Sequence, residues 1–155
     1  MSTVPLPDLV RRCVDLPASL RELAASLRWV SVYNVNLAVA RERISDKHWI
    51  YFPEHRYSFY RAGFPMNFSQ SMGQPGCSSL YVEISHQPTE RESDAALIER
   101  VRRGLEQAGV LQRSDEVVMS DVKDLYYAYV LFDRYRGRAV QELLAELERR
   151  GISSI

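Results

Sequence analysis

The residues best equipped for chemistry lie close together near the middle of the chain. The run from Trp49 to Arg61, W-I-Y-F-P-E-H-R-Y-S-F-Y-R, is followed by a loop holding Asn67-Phe68-Ser69. A strand, a turn at Pro53 and a second strand would make a hairpin-like unit. Trp49, Tyr51, Phe59 and Arg61 all fall at odd positions, although the turn leaves open whether they share a face. An arginine offers a planar fork of donors, tyrosine hydroxyls add neutral donors, and the rings can stack. Together these suit a phosphate attached to a flat ring. The same residues have a plainer reading, a hairpin whose aromatics fill the core and whose Arg61 pairs with a carboxylate such as Glu83. Residue types alone leave both open.

Other chemistries find no support. No G-x-G-x-x-G follows a strand, no G-x-x-x-x-G-K-[ST] occurs, and no serine stands in a G-x-S-x-G turn. The three histidines, His48, His55 and His86, are scattered, and neither they nor the cysteines have metal-ligand spacing. His55, after a Pro-Glu turn, reads as a solvated loop residue, and His86, ending a strand beside Pro88, as a surface residue. Cys13 follows two arginines, which could favour its thiolate; the simpler reading is a small residue packed under a helix.

The elements that must position the aromatic run are legible from periodicity. Pro7 and Pro17 each suit the first turn of a helix. After Pro17, Leu20, Leu23, Ala24 and Leu27 recur at i, i+3, i+4 and i+7, which gives one apolar stripe. Trp29 to Ala40 predicts a strand with Tyr33, Val35, Leu37 and Val39 on one face. Val30 and Val32 lie on the other face, so a bulge near Asn34 or burial on both sides is expected. Further strands are predicted at Trp49 to Phe52, Ser58 to Gly63 and Ser79 to Ser85. The segment Leu125 to Phe132, L-Y-Y-A-Y-V-L-F, reads as a central strand. Gly63 to Gly76, with three glycines and two prolines, reads as a long ordered loop. Ser93 is a candidate N-cap for a helix carrying Leu97, Val101, Leu105 and Ala108, with Gly109 ending it. A last helix, from about Arg138 to Arg150, would turn Val140, Leu143, Leu144 and Leu147 inward and end at Gly151. Early strands with helices at both ends predict an α+β fold, a single domain over 1–155. Its sheet would be mixed or antiparallel, of about five strands, with helices packed on it.

Composition narrows the partners. The chain has 155 residues, enough for one domain with a real core. Lys plus Arg and Asp plus Glu are both 20, and a zero balance argues against binding a nucleic-acid polymer. The apolar runs are too short for a membrane span, and the N-terminus lacks a secretory pattern. Two cysteines, Cys13 and Cys77, are too few for a disulfide scaffold and suit a reducing, cytoplasmic setting.

Here the residues meet a family. Trp49-Ile50-Tyr51-Phe52-Pro53-Glu54, Phe59-Tyr60-Arg61, Asn67-Phe68-Ser69 and Ser79-Leu80-Tyr81-Val82-Glu83-Ile84-Ser85 resemble the middle of FAD-dependent amine-oxidase-like proteins. The nearest branch looks like UDP-galactopyranose mutase and its protoporphyrinogen-oxidase-like relatives. Ser2-Thr3-Val4-Pro5-Leu6-Pro7 is similar to the segment by which that family leaves its FAD-binding domain. Arg150-Gly151-Ile152-Ser153-Ser154-Ile155 is similar to the segment just before its return.

The resemblance implies a substrate-binding domain, with FAD held mostly by a Rossmann-type domain in the same protein or on a separate chain. That domain's glycine-rich fingerprint is expected upstream of Met1, and a flavin-contacting glycine/arginine segment beyond Ile155. No FAD is expected on this chain alone, which should not turn over by itself. Residue by residue, Tyr51 and Arg61, ten apart, match a tyrosine and an arginine that contact the nucleotide-sugar diphosphate and sugar. Tyr129 resembles a further tyrosine at the diphosphate, though Val130-Leu131-Phe132 follows where the mutase branch continues into prolines. Asn67 and Phe68 match an active-site loop and receive no catalytic role. In mutase chemistry the reduced flavin attacks the sugar, so the protein's task is binding, orientation and charge neutralisation. A stand-alone binding module derived from that domain is the alternative, as is a purely structural piece that meets a partner chain. Apolar surface left bare by the missing part makes dimerisation expected in each case.

Overall fold

Apolar side chains at alternate positions make Trp29–Val39 the longest inward-facing strand of the protein. A computed structural model describes residues 2–153, so Met1 and the Ser154-Ile155 end of the family-like segment lie outside the described residues. The chain divides into two compact units, Ser31–Tyr126 and Met1–Val30 with Tyr127–Ile155.

The first unit carries most of the sheet. The strands are β1 (Trp29–Val39), β2 (Trp49–Tyr51), β3 (Arg61–Gly63), β4 (Ser78–His86) and β5 (Val117–Val130), in the order β2-β3-β4-β1-β5. The first two residues of β1 and the last four of β5 belong to the second unit. β2 with β3, β3 with β4, and β4 with β1 pair antiparallel. Tyr33, Val35 and Leu37 from β1, Leu80, Val82 and Ile84 from β4, and Ala62 from β3 form one apolar face. Leu97, Val101 and Leu105 of the helix Asp94–Gln107 join them in one core. Ser93 caps that helix by accepting from Ala96 N at 3.3 Å, and Gly109 takes the left-handed φ of 72° just past its end. The α+β fold agrees with the sequence, and of the mixed or antiparallel sheet expected there the five strands form the antiparallel one.

One expectation resolves between its two alternatives, and two others change. The register of β1 on β4 is unbroken from Ser31 opposite His86 to Val39 opposite Ser78, so Asn34 marks no bulge on that side. Ser31, Val32 and Tyr33 are buried in succession, which is burial on both sides. Leu125 to Phe132 is not a central strand. It supplies the second half of β5, an end strand that begins at Val117 and includes Ser120, Asp121, Lys123 and Asp124. The apolar run suggested burial, but its position at the end of the sheet leaves Leu125, Tyr126, Tyr129 and Val130 exposed. The strand expected over Ser58 to Gly63 shortens to its last three residues, although Tyr60 N still donates to Glu83 O at 3.1 Å.

The second unit is helical. Leu6–Arg12 has Pro7 in its first turn, and Ala18–Ala25 has Pro17 as its N-cap. The third helix, Arg136–Arg149, starts two residues before the expected point because Asp133 Oδ1 accepts from Tyr135 N and Arg136 N. Val10, Leu16, Ala24 and Leu143 form the core, with Leu20, Leu23, Leu27 and Cys13 packed against it. Cys13 therefore packs beneath its helix.

Candidate functional site

The hairpin expected from Trp49 to Arg61 exists, and its register settles which residues share a face. Trp49 lies opposite Gly63, and Tyr51 lies opposite Arg61. Arg61 is in turn opposite Glu83, and Gly63 opposite Tyr81. All six therefore belong to the sheet face away from the apolar core, since Ile50, Ala62 and Val82 alternate with them. Phe59 does not join them. It is 3% exposed and packs edge-on against Phe52, with ring centroids 4.9 Å apart.

The aromatics thus split between the two readings that the sequence left open. Phe52 packs edge-on against Tyr57 and Phe59, which stack on each other, and all three pack with the core, as a plain structural hairpin requires. Trp49 and Tyr51 instead stay 49% and 57% exposed, and Phe68 stays 56% exposed. Such large rings, half in water, do not fill a core.

Arg61 sits at the centre of the polar part. Its Nη1 lies 3.4 Å from the Tyr51 hydroxyl, with the guanidinium 5.9 Å from that ring's centroid. Its Nη2 pairs with Glu83, whose other oxygen accepts from the Tyr60 hydroxyl. The carboxylate partner foreseen for Arg61 is therefore present. Pairing to a buried carboxylate fixes the guanidinium in place while its Nη1 side meets Tyr51. Gly63 is needed beneath this group, because a Cβ there would run into the Tyr81 ring.

Phe68 closes one side. Its ring stacks on Trp49 at 5.6 Å and 30°, and lies 4.4 Å from His48. Asn67 is spent on the backbone, donating to Ser45 O at 3.0 Å and to Lys47 O at 2.5 Å. It also lines a polar cleft of about 610 Å³ with Arg43, Gln70 and Gln74. Asn67 thus holds the loop, and Phe68 is the member of that pair presented beside Trp49.

Tyr129 is placed differently. It belongs to the helical unit, where it lines a cavity of about 330 Å³ with Arg28, Trp29, Tyr127, Arg136 and Leu144. Tyr127 in the same wall donates to Asp8 Oδ1 at 2.5 Å and tilts against Trp29 with centroids 4.7 Å apart.

One polar cluster escaped the sequence reading. His86, expected at the surface, is 7% exposed and stacks on Tyr33 at 3.8 Å with the rings 5° from parallel. Its Nε2 is 3.1 Å from Asp124 Oδ1 and its Nδ1 is 2.9 Å from Gln87 O. Nothing local marks this histidine, because its partners come from β1 and β5. Tyr60 and Tyr81 were also missed as members of the Arg61 group; strand register, once known, would have found them.

Among the described residues no three His, Cys, Asp or Glu side chains could share a metal ion, and no helix is long and apolar enough to cross a membrane. The glycines with left-handed φ are Gly76, Gly109 and Gly151, one in a loop and two past helix ends. None joins a strand end to a helix start, so the described residues do not fit the pyrophosphate of a dinucleotide.

No family model matches the chain, and no curated protein matches it. Solved structures do. The chain is similar to reduced UDP-galactopyranose mutase at 24% identity with a TM-score of 0.86, over 98% of this chain and 34% of that one. It is similar at 18% identity and a TM-score of 0.75 to a protein from Exiguobacterium sp. 255-15 that carries the name of a protoporphyrinogen oxidase, with the same coverage. An oxidoreductase from Methanosarcina mazei matches at 14% identity and a TM-score of 0.63, over 81% of this chain and 31% of its own. The chain thus has the fold of one part of these proteins and spans about a third of their length.

Proposed function

We propose that this chain is the substrate-side part of an FAD-dependent oxidoreductase or mutase, and that its open sheet face binds the diphosphate and sugar of a nucleotide sugar. The observation that carries the reading is the Tyr51–Arg61 pair, set across two strands beside half-exposed rings, in a chain whose fold runs through a third of a UDP-galactopyranose mutase. Arg61 supplies charge and a fixed donor fork, Tyr51 a neutral donor, and Trp49 with Phe68 a surface on which a flat base can stack.

FAD belongs to the reading through the remainder of the parent protein, which would hold the pyrophosphate that the described residues do not fit. When bound, the flavin supplies the redox or nucleophilic chemistry; this chain's residues bind, orient and neutralise charge. The proposed setting is cytoplasmic, with 1–155 acting as one substrate-binding domain. Titration calorimetry with UDP tests the ligand. Saturable binding that weakens at least about tenfold in Arg61→Ala, with the circular dichroism unchanged, is expected, equivalent to about 1.4 kcal/mol. Equal binding by both proteins would remove Arg61 from the site.

A further inference from the structure

We infer that the cavity of the helical unit, lined by Arg28 and Arg136, is a binding site for a small amphiphile that carries one carboxylate on an aliphatic body. The cavity uses residues of that unit only and does not depend on the ligand proposed for the sheet face.

Charge selects the head group. The residues lining this cavity include two arginines, Arg28 and Arg136, and no carboxylate. Among the described residues neither guanidinium has an acid within ion-pair distance, and the acids of the unit are committed elsewhere. Asp8 accepts from the Tyr127 hydroxyl and pairs with Arg11, Glu142 pairs with Arg138, and Glu146 pairs with Arg149 and Arg150. Asp133 accepts from the backbone N–H groups of Tyr135 and Arg136. Both arginines are anchored at one short stretch of chain. Arg28 O accepts from Leu131 N at 3.0 Å, and the Arg136 guanidinium lies over the Phe132 ring at 4.5 Å. Stacking covers one face of that guanidinium and leaves its N–H edge for an anion. Two such cations in a largely apolar wall favour an anionic guest, because surroundings of low dielectric strengthen the attraction.

The walls select the body. Leu6, Leu27, Val140 and Leu144 line the cavity beside the Trp29 ring. Leu144 and Val130 line it and yet are exposed, so a guest would cover apolar surface that now meets water. At about 330 Å³ the space lies at the small end of ligand pockets. A carboxylate matches the planar fork of one arginine and brings a single charge for the second to offset. A phosphate would bring more charge and leave oxygens unpaired against leucine and valine walls.

An NMR titration of the isotopically labelled 155-residue chain with octanoate, read at the Trp29 indole, tests this. Trp49→Phe leaves that indole as the only one in the chain and so assigns its signal. A saturable shift is expected with octanoate. Octanol, the same chain without the charge, should bind at least about tenfold more weakly, and octylammonium should leave the signal in place. Arg28→Gln and Arg136→Gln should each weaken octanoate by about threefold or more, with the circular dichroism unchanged. The absence of a saturable shift overturns the assignment, as does octanoate binding that both variants retain in full. Equal binding of octanol overturns it too, and that comparison uses the wild type alone, so no misfolded variant can imitate it. Tighter binding of octyl phosphate would contradict the choice of head group, and displacement of octanoate by UDP would give the cavity to the nucleotide instead.

Discussion

Tyr51 and Arg61 stand directly opposite one another on β2 and β3, and the hydroxyl of the first lies 3.4 Å from Nη1 of the second. Nine residues separate them in sequence, yet the register makes them neighbours on the face that the core does not use. That same register lays Glu83 on the far side of Arg61, so the guanidinium is held between a buried carboxylate and a half-exposed ring. An arginine fixed in this way is pre-organised to meet an anion rather than free to sample many rotamers.

Glu83 should therefore matter to the fold as well as to the site. Glu83→Gln keeps the shape but removes the charge that Arg61 and the Tyr60 hydroxyl share. Hydrogen bonds to charged groups contribute about 1.5–3 kcal/mol, so a loss of that order is expected in urea unfolding. A variant as stable as the wild type would show that Arg61 is held by something else.

The two tryptophans report on the two candidate surfaces separately. Trp49 stacks with Phe68 beside Tyr51 on the sheet face, whereas Trp29 lines the cavity that contains Tyr129. With only these two indoles in the chain, UDP-dependent quenching can be assigned by substitution. Quenching should persist in Trp29→Phe and largely disappear in Trp49→Phe. The reverse pattern would move the primary site into the helical unit.

Gly104 illustrates a cost that helix propensity hides. An alanine Cβ there would come within 2.6 Å of Phe59 Cε1, and Phe59 is buried with its ring locked among Phe52 and Tyr57. Gly→Ala in a helix normally gains about 1 kcal/mol, while overpacking costs about 1–3 kcal/mol. Net destabilisation is expected for Gly104→Ala, with Phe59→Leu in the same chain relieving part of it. A melting temperature raised by Gly104→Ala alone would contradict this packing.

Acid should weaken the helical unit through Glu146. The side-chain bond from Arg150, at 2.6 Å, holds this carboxyl below its usual range, helped by the charges of Arg149 and Arg150 and opposed by burial. Arg150 in turn donates to Asp15 O at 3.1 Å, which ties the last helix to the turn after the first. A lowered folded-state pKa means that the contribution is present above the unfolded carboxylate range and is lost as pH falls through the folded value. Denaturation near pH 7 should find Glu146→Gln less stable than wild type, and the two should converge as pH falls below the usual carboxylate range and through the lowered folded value. A gap that does not narrow would place the effect outside this ion pair.

Much of this was legible in the residues because it is local. The leucine stripe after Pro17, the Ser93 cap and the Gly109 and Gly151 ends depend on neighbours a turn away, and they were found with their boundaries nearly correct. The family-like strings around Trp49 and Ser79 gave the fold, and a solved structure now matches it along nearly the whole chain. Non-local facts were harder. Leu125 to Phe132 looked central because its composition carries no charge, and only the strand order reveals an edge. His86 looked exposed because Tyr33 and Asp124, its partners, lie far off in sequence. Whether Trp49, Tyr51 and Arg61 shared a face depended on the length of a turn, which alternation alone cannot supply.

The most direct test of the account is an NMR titration of the isotopically labelled chain with UDP, following backbone amides and the tryptophan indoles. Saturable shifts centred on Tyr51, Arg61, Phe68 and the Trp49 indole, absent in Arg61→Ala, are the predicted result. No shifts at any UDP concentration, or shifts confined to the cavity around Trp29 and Tyr129, would contradict it.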